Sequence, residues 1–341
     1  MEYSVLGRTG IRVSRIGFGV YSVTGMYGHV PEDEALELLR LADRLGINFY
    51  DTADVYGNGY GEEILCKAFG ERGMQRIVVA TKIGYDFYSG ETPPPRRYDE
   101  DYLLYAVEKS SERLCKKPID IVQIHNPPLS ALRSKEFWKT VEKISEEGYA
   151  KALGIALGPE TDVLEHALIA ISHSDLVSVI QFVYNMLEQE PGATIARLAK
   201  NKGIGTISRV PHAGGVLDES IGVKDIAKIS DHRALRRRGW YEWALETYLE
   251  MKKVVDHLPG TPGQRAIRFI LDSAPIDSVI IIANNMDRLK EYVDALRLPS
   301  LGKDIVTELA RIYMSRIHSS PEKPAKSLEY IGLIPRLAAH D

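Results

Sequence analysis

The most constraining feature of this sequence is a regular alternation of short apolar runs with longer stretches of helical periodicity. Short runs rich in Val and Ile are typical of buried parallel strands. The predicted strands are 16–20, 47–51, 77–82, 119–125, 149–156, 177–183, 204–209 and 277–282. Eight strand–helix units are the number that a closed parallel barrel requires. The pattern predicts an α/β fold, a (β/α)8 barrel of the TIM type, and a doubly wound open sheet is the competing topology.

The segments around these runs have recognisable turn and helix signals. A Gly-bearing turn at 7–10 between two short strand-like runs predicts an N-terminal β-hairpin. Pro31 followed by three acidic residues favours a helix start, and Gly46 marks its end. The other predicted helices are 61–69, 99–115, 135–147, 160–171, 190–201, 240–257 and 286–297.

Two segments interrupt the alternation. Residues 89–98 contain three consecutive prolines, and residues 210–238 form a long insertion after the seventh barrel strand. Both would leave the C-terminal rim of a barrel, where long loops tend to be functional. The tail 319–341 is predicted to be irregular. We therefore expect one barrel domain over 1–341, with a hairpin in front and long rim loops.

Composition limits the possible partners and compartment. The chain has 341 residues, 44% of them apolar and 26% charged, with a net charge of −4. That charge gives no electrostatic basis for binding nucleic acid or an anionic membrane. The apolar stretches are too short to span a bilayer, and nothing at the N-terminus suggests secretion. Cys66 and Cys115 are expected to be buried reduced thiols, so we predict a cytoplasmic protein without disulfides.

Four polar residues follow the ends of successive predicted strands: Asp51, Tyr56, Lys82 and His125. If these strands belong to one barrel, the four side chains meet at its C-terminal rim, where such barrels place their active sites. Taken singly, each has a structural explanation, such as a turn residue, a solvated cation or a core histidine. Their joint placement instead indicates one site for proton transfer to or from a carbonyl or alcohol oxygen.

These residue types suit the reduction of a carbonyl group by hydride. The reaction needs an acid that protonates the oxygen as negative charge develops on it. Tyr56 can serve only if its anion is stabilised, and an ammonium such as that of Lys82 lowers a phenol's pKa. Asp51 would offset the cost of burying that ammonium. His125 would donate a hydrogen bond to the carbonyl oxygen and orient it.

The surrounding motifs resemble the aldo-keto reductases. They are 46–57 (GINFYDTADVYG), 61–65 (GEEIL), 6–10 (LGRTG), 80–82 (ATK) and 119–125 (IDIVQIH), and the resemblance extends over about 1–300. It implies a TIM-type barrel with a nicotinamide cofactor extended across its rim. It also implies that Tyr56 is the general acid, tuned by Lys82, with Asp51 paired to Lys82 and His125 orienting the carbonyl. No Gly-x-Gly-x-x-Gly motif follows a strand, so a Rossmann cofactor domain is not indicated.

The resemblance also suggests where the cofactor binds, and where this chain departs from the family. Gln181 matches a glutamine that contacts the nicotinamide carboxamide, but Ala156 and Leu157 stand where relatives carry Ser-Asn. Arg209 replaces an aromatic residue that stacks on the nicotinamide; alternatively it contacts the diphosphate or the substrate, or is structural. The remaining candidate cofactor contacts are Gly19, Asn285, Arg288 and Glu291. Arg288 is the clear cation for a 2′-phosphate, so we expect NADP, with NAD possible.

Substrate and assembly are less constrained. Tyr21 and Tyr85 are the candidate substrate contacts together with His125, and Tyr27, Phe87 and Tyr88 are expected around the same mouth. We expect a small-molecule carbonyl or alcohol substrate, sugars included, and a monomer or homo-oligomer without metal. A cofactor-sensing subunit with little turnover and an aldolase using a lysine Schiff base are the rival functions. The basic run 236–238 is interpreted as solvated, or as part of a lid over the cofactor phosphates.

Overall fold

The computed structural model describes residues 1–158, 163–229 and 231–320. An antiparallel hairpin, β1 (Tyr3–Val5) and β2 (Arg12–Ser14), precedes eight parallel strands. These are β3 (Ile16–Gly19), β4 (Phe49–Asp51), β5 (Val78–Ile83), β6 (Ile119–His125), β7 (Ala150–Ala156), β8 (Val177–Val183), β9 (Gly205–Arg209) and β10 (Ser278–Ile281). They pair in chain order, and β10 pairs with both β9 and β3, which closes the barrel. The predicted (β/α)8 barrel with its N-terminal hairpin is confirmed.

Helices cover the outside of the barrel. They are α1 (Glu32–Arg44), α2 (Tyr60–Met74), α3 (Glu100–Arg113), α4 (Leu129–Leu132), α5 (Lys135–Glu146), α6 (Val163–Ser172), α7 (Gly192–Asn201), α8 (Arg238–Val255), α9 (Pro262–Ser273), α10 (Met286–Asp294) and α11 (Lys303–Arg316). The sequence pattern did not predict α4, α9 or α11. The predicted helix start at 160–162, and the predicted irregular tail from 321 onward, lie outside the described residues.

The hairpin seals the N-terminal end of the barrel. Leu6 and Val13 join a buried layer to which barrel strands contribute one residue each: Phe49, Ala80, Ile121, Ala152, Val179, Ile207 and Ile280. Gly7 has a φ of +47°, and a Cβ there would lie 2.3 Å from the carbonyl oxygen of Gly203. Only glycine allows this close backbone approach. Polar side chains at the opposite, carboxyl ends of the strands are therefore the candidates for chemistry.

The two cysteines form a disulfide, so the prediction of reduced thiols is wrong. Cys66 lies in α2, and Cys115 follows α3 in a backbone conformation with a φ of +51°. Their Cα atoms are 5.8 Å apart, although 49 residues separate them in sequence. The two helices are neighbours around the barrel, and this packing brings the sulfur atoms together. The cysteine-based argument for a reducing compartment therefore fails, and the cytoplasmic location remains a prediction without it.

Within residues 1–158, 163–229 and 231–320, no helix is both long and apolar enough to cross a membrane. The same ranges contain no group of three or more His, Cys, Asp and Glu side chains arranged to hold a metal ion.

Candidate active site

Three neighbouring strands position the candidate catalytic side chains. Asp51 ends β4, Lys82 is the penultimate residue of β5, and His125 ends β6. Asp51 pairs with Ala80, and Lys82 with Gln123, so adjacent strands carry these side chains at the same rim. The loop between β4 and α2 returns Tyr56 over the same place. The structure brings all four predicted residues together.

Lys82 is at the centre of this cluster. Its Nζ donates hydrogen bonds to Asp51 Oδ2 at 2.7 Å and to the carbonyl oxygen of Thr52 at 2.8 Å. It also lies 3.5 Å from the hydroxyl oxygen of Tyr56. Only 1% of the Lys82 side chain is exposed, so a lone ammonium there would be costly without these acceptors. The ammonium thus links the carboxylate to the phenol.

Asp51 has a second set of partners on its other oxygen. Gln181 Nε2 in β8 donates to Asp51 Oδ1 at 2.7 Å, and Gln123 Nε2 in β6 is 3.5 Å away. A buried ion pair is favourable only when its remaining lone pairs are also satisfied. Sequence reasoning missed Gln123, although it lies two residues before His125 in one strand, and so on the same face. That period of two was the available signal.

Tyr56 lies among aromatic rings. Its ring centroid is 4.6 Å from that of Tyr21 and 6.0 Å from that of His125. Burial first, and then the Asp51 carboxylate, raise the pKa of Tyr56 above its usual value, while the Arg209 guanidinium opposes them. The sequence led us to expect a lowered pKa, but desolvation outweighs the Arg209 charge here. Tyr56 is therefore a protonated phenol at neutral pH.

His125 is held as a neutral imidazole. Burial, and then the positive charges of Lys82 and Arg209, lower the pKa of His125 well below its usual value. Its Nδ1 is buried and has no hydrogen-bond partner among the described residues. Its ring also meets that of Tyr85 edge-on, with centroids 4.9 Å apart. A neutral ring with a spare nitrogen is suited to hydrogen bond with a substrate oxygen.

The rim has unpartnered polar atoms that fit a nicotinamide. The Gln181 amide nitrogen donates a hydrogen bond to Asp51. The Gln181 Oε1 is buried and has no hydrogen-bond partner in the described structure. Gln181 Oε1 would accept a hydrogen bond from the NH2 group of a carboxamide. Since buried polar atoms are normally hydrogen-bonded, the donor set fits the expected cofactor.

Arg209 occupies the region where the chain departs from the family pattern. Its Nη2 donates to the carbonyl oxygen of Leu157 at 2.9 Å, which joins the end of β9 to the residue following β7. The guanidinium therefore crosses the rim past β8. It acts electrostatically on Tyr56, Lys82 and His125. Arg209 is thus both structurally anchored and part of the field around the candidate catalytic groups.

The candidate contacts for the adenosine end already have protein partners. Asn285 caps α10 by accepting from the backbone N–H of Arg288 at 2.9 Å. Arg288 Nη1 lies 3.5 Å from Asp218 Oδ2, and Glu291 accepts a hydrogen bond from the Thr261 hydroxyl. Asn285 and Arg288 thus lie at the N-terminus of α10, and Glu291 lies in its following turn. Asp218, which sequence reasoning missed, keeps Arg288 partly engaged.

Gly19 has a structural role at the end of β3. A Cβ at this position would lie 2.9 Å from the carbonyl oxygen of Ile281 and 2.8 Å from the Ile282 side chain. The glycine therefore permits close packing of β3 against the end of β10. Gly19 also lies on the rim, and its contact with the cofactor stays a prediction.

The aromatic residues expected around the mouth divide into two groups. The rings of Tyr21 and Tyr27 meet edge-on at 5.9 Å, and Tyr85 accepts a hydrogen bond from Asn126 at 2.9 Å. Tyr21 contacts the ring of Tyr56 and Tyr85 that of His125, whereas Tyr27 joins this group through Tyr21. In contrast, Phe87 and Tyr88 stack on each other and pack against α3, where the Tyr88 hydroxyl accepts from Arg113. Both residues thus have partners on α3, and their place at the mouth stays a prediction.

Arg236 and Arg238 of the basic run 236–238 each form an ion pair with a glutamate. Arg236 pairs with Glu188 at 2.6 Å and lies over the ring of Trp240 at 3.7 Å. Arg238 pairs with Glu242 one turn along α8. Arg236 is therefore not simply solvated, because its charge and its planar face both have protein partners. Whether this segment reaches the cofactor remains a prediction.

The chain is similar to known proteins over most of its length. The family model described as "Aldo/keto reductase family" matches residues 15–313. The chain is 28% identical over 335 residues to a probable voltage-gated potassium channel subunit beta from Arabidopsis thaliana, covering 95% of this chain and 99% of that protein. It is 28% identical over 319 residues to L-galactose dehydrogenase from the same plant, covering 89% and 91%.

A solved structure with the same fold is an aldo-keto reductase from Bacillus halodurans in its holo form. The TM-score is 0.74 at 23% identity, over 92% of this chain and 96% of that one. At this identity the likeness concerns the fold alone. The family model, however, matches most of the sequence. The chain belongs to the aldo/keto reductase family of oxidoreductases.

Proposed function

We propose that this protein reduces aldehydes or ketones with NADPH, using Tyr56 as the general acid. The observation that carries the proposal is the chain Asp51–Lys82–Tyr56, in which a buried ammonium reaches both a carboxylate and a phenol. His125 completes the group at the same rim. Proton donation at an oxygen that gains negative charge is what carbonyl reduction requires from the protein.

Each residue has one task in this mechanism. A reduced nicotinamide, when bound, would supply the hydride. The Tyr56 hydroxyl donates its proton to the carbonyl oxygen as charge develops there, and the Lys82 ammonium stabilises the resulting phenolate. Asp51 keeps Lys82 charged and oriented. His125 donates a hydrogen bond that fixes the carbonyl oxygen beside Tyr56, which places the reacting atoms together.

Tyr56 can serve both directions of one reaction. As a protonated phenol at neutral pH, it is the acid that carbonyl reduction needs. Alcohol oxidation would need the phenolate as a base, and the Lys82 ammonium would stabilise that form. We propose carbonyl reduction as the direction to test first.

Support for NADPH rests on Arg288. A 2′-phosphate prefers charge-assisted hydrogen bonds, and Arg288 offers them at the N-terminus of α10. Asp218 lies 3.5 Å from this guanidinium and competes for it. Use of NADH is therefore a second possibility that belongs to the same proposal.

A dehydrogenase of sugars is the second candidate function. The rings of Tyr21 and Tyr85 contact those of Tyr56 and His125, and phenols beside the reacting groups suit a hydroxylated substrate. Arg209 adds a cation with further N–H groups. One relative is named L-galactose dehydrogenase. This candidate shares the catalytic group and differs in substrate and direction.

Two other functions receive less support. A cofactor-sensing subunit, suggested by the relative named as a channel subunit, would not require the full set of hydrogen bonds at the rim. An aldolase would need a free amine at Lys82. The Lys82 Nζ instead has an ion-pair partner and a backbone carbonyl within 2.8 Å.

The test is an assay of nicotinamide absorbance with a panel of aryl, aliphatic and sugar carbonyls. Each would be offered with NADPH and with NADH, and the matching alcohols with the oxidised forms. Turnover of simple carbonyls with NADPH supports the first candidate, and oxidation of sugars with NAD supports the second. Nucleotide binding without any turnover would support the sensing role and contradict the proposal.

A further inference from the structure

Arg209 places a positive charge at the rim without an acid beside it. The side chain is half-buried, and its Nη2 donates to the carbonyl oxygen of Leu157, an uncharged acceptor, at 2.9 Å. Among residues 1–158, 163–229 and 231–320, no carboxylate forms an ion pair with this guanidinium. The Lys82 ammonium at the same rim, in contrast, pairs with Asp51. A half-buried charge that the protein leaves uncompensated is available to act on a ligand.

The strand register places Arg209 among the candidate catalytic residues. Side chains two positions apart in a strand point to the same face of the sheet. Ile207 of β9 belongs to the buried layer beneath the rim, and Arg209 lies two positions after it. The residues two positions beyond that layer in four other strands are Asp51, Lys82, Gln123 and Gln181. Arg209 therefore faces the barrel interior in the same tier as these four side chains.

Hydrogen bonds connect Arg209 to the same group. The carbonyl oxygen that its guanidinium contacts belongs to Leu157, and the Leu157 N–H donates to the Gln181 carbonyl oxygen at 2.8 Å. The Gln181 side chain in turn donates to Asp51 at 2.7 Å. Only Leu157 therefore separates the guanidinium from the glutamine that is the candidate contact for the nicotinamide carboxamide.

The charge of Arg209 also acts on the neighbouring side chains. Burial is the main cause of the pKa shifts of Tyr56, Lys82 and His125, and the Arg209 charge lowers the pKa of each. Burial raises the pKa of Tyr21, and Arg209 opposes that rise. Such effects weaken with distance, so they agree with the placement that the register and the hydrogen bonds give.

A nicotinamide nucleotide changes its charge in one part only. The ring is uncharged in the reduced form and carries a positive charge after it has given up its hydride, whereas the phosphates keep their charges. Hydride transfer requires this ring beside the carbonyl group that Tyr56 and His125 would hold. Gln181 Oε1, buried and unpartnered in the described part of the chain, is available to the carboxamide of the same ring. The tier that contains Arg209 therefore lies next to the part of the nucleotide that changes charge.

We propose that Arg209 is a specificity-determining residue for the redox state of the nucleotide: its guanidinium repels the positively charged oxidised ring and so shifts the preference of the site towards the reduced form. This role rests on the proposed use of a nicotinamide nucleotide, and it assigns no proton or hydride transfer to Arg209. Two like charges about 10 Å apart, at an effective dielectric constant of about 20, change a binding constant by roughly tenfold.

The test compares the dissociation constants of NADPH and NADP⁺, measured by isothermal titration calorimetry at pH 7. The two ligands share their phosphates and differ in the charge of the nicotinamide ring. In Arg209→Met the ratio of the NADP⁺ constant to the NADPH constant should fall by roughly tenfold relative to the wild type. Arg209→Lys keeps the charge and should retain most of the wild-type ratio. An unchanged ratio in folded Arg209→Met would overturn the proposal.

Other roles of Arg209 predict different outcomes, and each would contradict the proposal. If Arg209 bound the cofactor diphosphate, Arg209→Met would weaken both nucleotides by the same factor. If it bound only the substrate, the variant would raise KM for the carbonyl and leave both dissociation constants unchanged. If it served only the fold, the unfolding midpoint would fall and the ratio would stay the same.

Arg288→Ala is the matched control, because it removes a guanidinium from the candidate adenosine end. Both NADP⁺ and NADPH carry the 2′-phosphate, so this change should leave their ratio unaltered. If the wild type bound both nucleotides but converted no carbonyl or alcohol, the proposed function would fail, and the ratio in Arg209→Met would still decide the role of Arg209. Turnover in the wild type with an unchanged ratio in Arg209→Met would overturn that role alone.

Discussion

Lys82 illustrates how single residues at this rim depend on each other. Burial lowers the pKa of Lys82, and the Asp51 carboxylate opposes that shift. The ion pair is 2.7 Å long and almost fully buried. A pair of this kind contributes little net stability, but removing one partner leaves an uncompensated charge that costs about 3–5 kcal/mol. The Lys82–Asp51 ion pair is thus better explained by a role in the proposed proton transfer than by a contribution to folding stability.

Lys82→Met should slow catalysis at least about tenfold and shift the pH dependence of alcohol oxidation. Without the ammonium, the Tyr56 phenolate is less stable, so its pKa rises and the rise of activity with pH moves to higher pH. The measurement is the pH–rate profile for alcohol oxidation with the oxidised nucleotide.

The double variant Lys82→Met/Asp51→Asn controls for the buried charge that the single change exposes. It should recover part of the lost stability without recovering the activity. A folded Lys82→Met protein with an unchanged profile would mean that Lys82 does not tune the tyrosine.

At the scale of residues, the sequence predicted which residues lie at the rim better than it predicted their pKa values and ion pairs. The four rim residues were predictable because each follows an apolar run in a strand. The direction in which the pKa of Tyr56 shifts was not predictable, since it depends on how deeply the loop between β4 and α2 buries the phenol. The pairing of Arg288 with Asp218 was not predictable either, because the two residues are 70 positions apart in the sequence and only the fold brings them together.

At the scale of elements, the disulfide is the main stabilising feature that the sequence did not predict. Cys66 and Cys115 join α2 to the end of α3. Two helices that also share the Arg113–Glu62 ion pair are thereby held together on the outside of β4 and β5. Constraining a loop of this length in the unfolded chain stabilises the folded state.

Cys66→Ala/Cys115→Ala should lower the free energy of unfolding by roughly 2–4 kcal/mol relative to the oxidised wild type. Denaturant unfolding with and without reductant measures this. Reductant should destabilise the wild type and have no effect on the double variant. Two free thiols in the folded, unreduced wild type, with no effect of reductant, would contradict the disulfide.

The predicted strands were close to the observed ones, whereas three helices were missed. Predicted strands 119–125 and 177–183 match β6 and β8 because a short run rich in Val and Ile is typical of a buried strand. Helix α9 begins with a capping box formed by Thr261 and Gln264, with Pro262 at its first position. That signal was present in the sequence. Helix α11 follows Gly302 without a side-chain cap, so its start gave no comparable signal.

At the scale of the whole molecule, buried histidines make stability depend on pH. His212 is 7% exposed and stacks on Tyr292, with ring centroids 4.1 Å apart. Burial lowers the pKa of His212 from 6.5 to about 4. The unfolded chain therefore binds a proton at a higher pH than the folded one does. Its contribution is fully present above about pH 6.5 and is lost as the pH falls towards 4.

His212→Phe should make stability less sensitive to acid, because the ring contact is retained and no proton can bind. Between pH 6.5 and 4 the wild type should lose up to about 1.4 kcal/mol per pH unit more than the variant. Urea unfolding at several pH values gives the comparison. His318→Gln, at an exposed histidine, is the control and should follow the wild type. Parallel curves for wild type and His212→Phe would show that His212 is not responsible.

The central claim is that Tyr56 is the general acid of a nicotinamide-dependent reduction, and Tyr56→Phe tests it most directly. The change removes only the hydroxyl, so the ring contact with Tyr21 can remain. We predict that kcat for carbonyl reduction falls by about 10²–10⁴-fold, the usual size of a general-acid contribution. The dissociation constant for NADPH, measured by fluorescence titration, should stay close to that of the wild type. A variant that binds the nucleotide and keeps most of its kcat would contradict the account.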